Sequence, residues 1–154
     1  MNETTIIVHF LLWTFLAGLL GAFTMTVVMR VMAGAGLSKG NMVVAIGSFF
    51  TGSSQTAFLL GSLLHGISGV CFAMLYAVLM KFLELNYWPA AFFAGAGFGL
   101  FHGIVVSLTL VWMVAEHHPM EEYKNAGIAV GLCHLAGHVA YGMVVGLIIG
   151  IAQV

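Results

Sequence analysis

The chain has 154 residues, of which 62% are hydrophobic and 6% charged, with a mean hydropathy of +1.11. Soluble domains carry about 25% charged residues, so the composition excludes an ordinary soluble domain. A net charge of −1 without any basic cluster gives nucleic acid nothing to bind.

The charges fall at Glu3, Arg30, Lys39, Lys81, Glu84, Glu116, Glu121, Glu122 and Lys124. Between them lie four uncharged stretches, each long enough for a span of about 20 residues. The chain therefore reads as one all-α domain over 1–154, an integral membrane four-helix bundle. Its spans are expected at about 10–33, 57–83, 88–115 and 125–152. Glu3 in the N-terminal flank, and an apolar run longer than a signal h-region, argue against a secretory leader.

The first span ends in the turn-rich run Gly34 to Asn41. The following stretch, 42–56, is too short and too polar to cross, and is expected as an interfacial or partly re-entrant segment. Tyr87 and Trp88, before the third span, belong at headgroup level. Arg30, Lys39 and Lys124 share one side, against Lys81 on the other. The excess of Lys and Arg marks the cytoplasmic side and places both ends of the chain outside.

A weak internal repeat pairs His65-x-x-x-Gly69-Val70-x-Phe72-x-Met74 with His134-x-x-x-His138-Val139-x-Tyr141-x-Met143. Ala17-Gly18 pairs with Ala94-Gly95 in the same way, as two parallel-repeat hairpins would require. Small residues recur every four positions: Gly61, Gly69, Ala73 and Ala77; Gly95, Gly99, Gly103 and Ser107; Gly142, Gly146 and Gly150. Such stripes let helices pack closely in lipid. Cys71 and Cys133 differ in depth by about 9 Å of helix rise, too far for a disulfide.

Histidines share these stripes. His65, His102, His134 and His138 lie deep inside apolar segments, where an ionisable side chain is costly and faces the protein interior or a hydrated cavity. His65 and His134 sit about nine residues in from one surface, and His102 and His138 about thirteen, two levels roughly 6 Å apart. At that same surface stand Glu116, His117 and His118. One expectation is a transition-metal site for Zn, Cu or Fe, since imidazole suits all three and two histidines one turn apart can share an ion. Glu116, His117 and His118 would then be the outer capture group. A second is one haem b between two axial histidines, His65 with His134 or His102 with His138. A third is a proton or ion pathway. The bland alternative is interhelical hydrogen bonding worth about 0.6 kcal/mol per residue. The protein would then be an accessory subunit of a larger membrane complex; a further reading is a small transporter working as a homo-oligomer. No phosphate-binding glycine loop, nucleophile elbow or His-Glu-x-x-His occurs, so nothing points to an enzyme.

Several short pieces carry a resemblance: Met25-Thr26-x-x-Met29, Gly40-Asn41, Ile46-Gly47-Ser48 and Leu64-His65-x-x-x-Gly69-x-x-Phe72-Ala73-x-x-Tyr76-Ala77. Phe98-Gly99-x-x-His102 and Gly137-His138-x-x-Tyr141-Gly142 complete it. In these the chain resembles a set of small four-helix membrane proteins of bacteria and archaea with no established activity. The resemblance implies the fold, in a bacterial or archaeal cytoplasmic membrane, and no chemistry. The loop Glu116-His117-His118-Pro119 and His134 depart from the shared pattern.

Overall fold

The computed structural model describes residues 2–37, 41–110, 115–124 and 127–154. Among them the chain is all-α, and four helices are long and apolar enough to cross a membrane. These are α1 (Glu3–Gly34), α3 (Ser54–Phe82), α4 (Ala90–Thr109) and α7 (Ile128–Ala152), joined by the shorter α2 (Met42–Thr51), α5 (Ala115–His117) and α6 (Glu121–Lys124).

Two boundaries differ from expectation for local reasons. Helix α1 begins seven residues before residue 10, because Asn2 caps it: its Oδ1 accepts from the Thr5 N–H at 2.8 Å, and Glu3 sits in the first turn. The polar run after α2 divides around Gly52, which ends α2 at φ 65°, a conformation glycine adopts without a Cβ penalty. Ser53 then caps α3 through the Gln55 N–H, so α3 starts at Ser54 rather than 57. The third expected span reached 115; residues 111–114 lie outside the described residues, as do Ser38 to Gly40, Asn125 and Ala126.

The segment expected at the interface is a ten-residue helix that packs on α3. A Cβ on Gly47 would strike the Ala57 carbonyl, and one on Gly61 the Val43 carbonyl. With 43 opposite 61 and 47 opposite 57, α2 runs antiparallel to the first turns of α3.

The long helices stand in the order α4, α7, α1, α3, with extensive packing at each step. Helix α3 scarcely touches α4 across the remaining side. The tightest seam is α4 with α7. There a Cβ on Gly95 or Gly142 would strike the other's carbonyl, one on Gly146 the Ala91 carbonyl, and one on Gly99 the His138 carbonyl. Such small-residue contacts replace the hydrophobic effect as the adhesive between apolar helices. Ala73, Ala77, Met80, Val145 and Ile149 fill the end of the molecule farther from α2 and are fully buried.

Candidate functional site

Where α3 and α4 part, the structure holds a cavity of about 440 Å³. Its back is formed by Ala22 and Met25 of α1 and by Val130, His134, His138 and Tyr141 of α7. Its walls are Leu64, His65, Ser68 and Phe72 of α3, His102 and Val106 of α4, and Leu110 just after α4. Met42, Ala45, Ile46, Phe49 and Phe50 of α2, with His118 and Tyr123, cover the loop end. All four inner histidines expected to converge therefore line one space.

Each inner imidazole has one nitrogen engaged. His134 Nδ1 donates to the Val130 carbonyl at 2.9 Å, and His138 Nδ1 to the His134 carbonyl at 2.8 Å. His65 Nε2 donates across the helix interface to the Ala22 carbonyl at 3.1 Å. His102 Nδ1 pairs with the Tyr76 hydroxyl at 3.2 Å. A carbonyl oxygen only accepts, so in the neutral ring the engaged nitrogen carries the hydrogen and the other carries a lone pair. For His134 and His138 the lone pair is on Nε2, and for His65 on Nδ1. None of these atoms has a partner among the described residues, and none is sealed away from open space. They face the cavity, although His134 and His138 are each only 7% exposed.

The depth pairing of His102 with His138 holds: their rings lie 4.7 Å apart, edge to face. Phe72 also lies against His102, with ring centroids 3.9 Å apart and planes tilted by 34°. Two rings on one tetrahedral ion stand about 5 Å apart centre to centre, given metal–nitrogen bonds of about 2.0–2.1 Å. Axial ligands on opposite faces of a haem iron would stand about 6 Å apart with bonds of the same length, so this pair is too close to flank a haem. Among the described residues no three His, Cys, Asp or Glu side chains stand ready to hold an ion.

The outer group does not assemble as the sequence suggested. Glu116 and His117 are exposed and do not line the cavity. His118 is 3% exposed, with both nitrogens engaged. Nε2 donates to the Ala45 carbonyl of α2 at 3.0 Å, and Nδ1 accepts the Met120 N–H at 3.1 Å. Its ring meets Tyr123 at 4.7 Å and Phe49 at 5.6 Å. Burial, with Glu122 beside it, pushes the Tyr123 phenol up to about 12. His118 thus works as a latch between the 115–124 segment and α2, with no lone pair left to capture an ion.

Sequence reasoning assigned no part in the site to Tyr76 or Tyr141. Tyr76 orients His102, and Tyr141 donates to the Gly69 carbonyl at 2.6 Å, joining α7 to α3. The available signal was a phenol inside an apolar helix, which needs a partner for its O–H. Scans against protein-family models, curated proteins and solved structures each found no match. The site stands on its own geometry.

Proposed function

We propose that this protein is an integral membrane four-helix bundle whose histidine-lined cavity binds a transition-metal ion, in metal handling. His102 and His138 form the core of the site, and His134 or His65, on the same cavity, would have to move closer to supply a third ligand. The observation that carries the reading is the direction of the lone pairs. The hydrogen bonds of His134 and His138 stay within α7, so they join no helices, and they leave Nε2 bare toward the cavity. Metal-ligating histidines have that arrangement, the second ring nitrogen being fixed by a carbonyl or hydroxyl. Tyr76 would fill this role for His102 in the tautomer whose Nδ1–H donates to the phenol oxygen.

The four long apolar helices support the membrane placement, and the distribution of Lys and Arg supports both ends lying outside. The packed end formed by Ala73, Met80, Val145 and Ile149 favours an ion held over an ion conducted, because the cavity is blind in that direction.

A second reading has a specific observation behind it. His65 and His102 do bridge neighbouring helices, as interhelical hydrogen bonding in an accessory subunit would require. Elemental analysis and a visible spectrum of the purified protein separate the two. Stoichiometric Zn, Cu or Fe that is lost in His138→Ala supports the metal site. Metal-free protein that takes up no zinc, copper or iron on titration ends that reading, and a Soret band would replace it with haem.

A further inference from the structure

We propose that the cavity also admits an uncharged, bilayer-soluble phenol, which enters sideways between α3 and α4 and donates its hydroxyl to the bare imidazole nitrogens. The inference rests on the membrane placement and on the ring tautomers, and it does not need a bound metal.

Size is the first argument. An ion with two waters of about 30 Å³ each fills only a small part of such a space, and the cavity measures about 440 Å³. Ligand pockets for small organic molecules fall at about 300–1,000 Å³, apolar with a few placed polar groups. Leu64, Phe72, Val106 and Leu110 on the walls and Phe49 and Phe50 above give this pocket that character.

Access is the second. Among the described residues the ring contacts between α3 and α4 all lie at Phe72, Tyr76, Phe98 and His102. Toward α2 the helices diverge, with Ser68 exposed and Val106 half-buried at the mouth. At that level the mouth opens on hydrocarbon, while α2 and the His118 latch cover the loop end. A charged solute would have to shed its water in lipid to use this mouth; an uncharged phenol would not.

Hydrogen-bond direction is the third and most selective. His65, His134 and His138 offer the cavity lone pairs only. At these three rings a hydroxyl finds an acceptor, whereas a ketone, ester or ether oxygen finds no donor and is left with the hydroxyls of Ser68 and Tyr123 elsewhere on the wall. The rings of Phe49, Phe50 and Phe72 favour an aromatic body over a saturated one through edge-to-face packing.

The test uses the whole protein in lipid nanodiscs, stripped of metal with EDTA and titrated with para-nonylphenol and its methyl ether, para-nonylanisole. Saturable one-to-one binding of the phenol is expected, with the ether at least about tenfold weaker for want of one hydrogen bond. Val106→Trp and Ser68→Phe, which fill the mouth, should each weaken phenol binding about tenfold or more. Equal affinity for phenol and ether, no saturable binding, or wild-type binding in both mouth variants would overturn the proposal. Phenol binding that persists where zinc binding fails supports it and removes the metal reading alone.

Discussion

Helices α4 and α7 meet carbonyl to glycine along their length, while α3 and α4 meet at a few aromatic rings and then part. Both seams are built from the same apolar composition. The difference lies in what occupies the fourth-position stripe. Where it is glycine on both sides, the backbones close until no side chain fits between them. Where histidine and phenylalanine take that place, the helices stand off and leave a space that polar nitrogens can line. Close packing and a binding cavity are thus alternative uses of one spacing pattern, and the molecule uses each at a different seam.

The sharpest way to break that contrast is to put bulk into the closed seam. Gly142→Leu would drive a side chain into the Gly95 carbonyl. It should cost more than about 4 kcal/mol, enough to abolish folding, read as loss of the unfolding transition in detergent. Gly97→Ala is the matched control, because a Cβ there meets nothing within 4 Å. It should be neutral or stabilise α4 by up to about 1 kcal/mol. Equal damage from both would mean that the glycines serve flexibility and not contact.

The open seam is sharpened through its nitrogens. His138→Ala removes one ring of the 4.7 Å pair and should lower zinc affinity about a hundredfold, or about 2.7 kcal/mol, measured by competition with a chromophoric chelator. His9→Ala, whose ring accepts from Trp13 near the N-terminus of α1, should leave zinc affinity unchanged. The latch comes next. His118→Phe keeps the ring packing against Tyr123 and Phe49 but loses both backbone hydrogen bonds. It should destabilise the cap by about 1–3 kcal/mol, seen as faster amide exchange at Met120 and along α2.

How far the sequence reached follows the same division. Runs of uncharged residues located the long helices, because length and hydropathy suffice for that. Spacing placed His102 beside His138, because a helix converts residue number directly into depth. What spacing cannot carry is rotation and connection. Nothing local says that His118 turns inward to grip Ala45, which is 73 positions away. The 42–56 stretch read as too short and too polar to cross, and that reading says nothing of what it packs against. Its Ser53 caps α3, its Ser48 is buried inside α2, and its Gly47 gives the close contact with α3. The outer Glu116-His117-His118 group read as one cluster because its members are consecutive in sequence, yet consecutive helical residues point in different directions.

The smallest effect belongs to the bond that ties the two seams together. Tyr141 reaches from α7 to the Gly69 carbonyl on α3 at 2.6 Å, while its ring fills the space that Gly21 leaves open on α1. Tyr141→Phe keeps the ring and removes only the hydroxyl. A single interhelical hydrogen bond between apolar helices is worth about 0.6 kcal/mol, so global unfolding should barely change. The Gly69 carbonyl already accepts within its own helix, which limits the loss further. The distance between α3 and α7 is a different matter, since few other contacts hold α3 against that helix. Spin labels on the exposed Ser68 and Leu132 should report a broader distance distribution in Tyr141→Phe than in the native protein. An unchanged distribution would mean that α1 alone, through Gly18 against Val70, sets how far the cavity stands open.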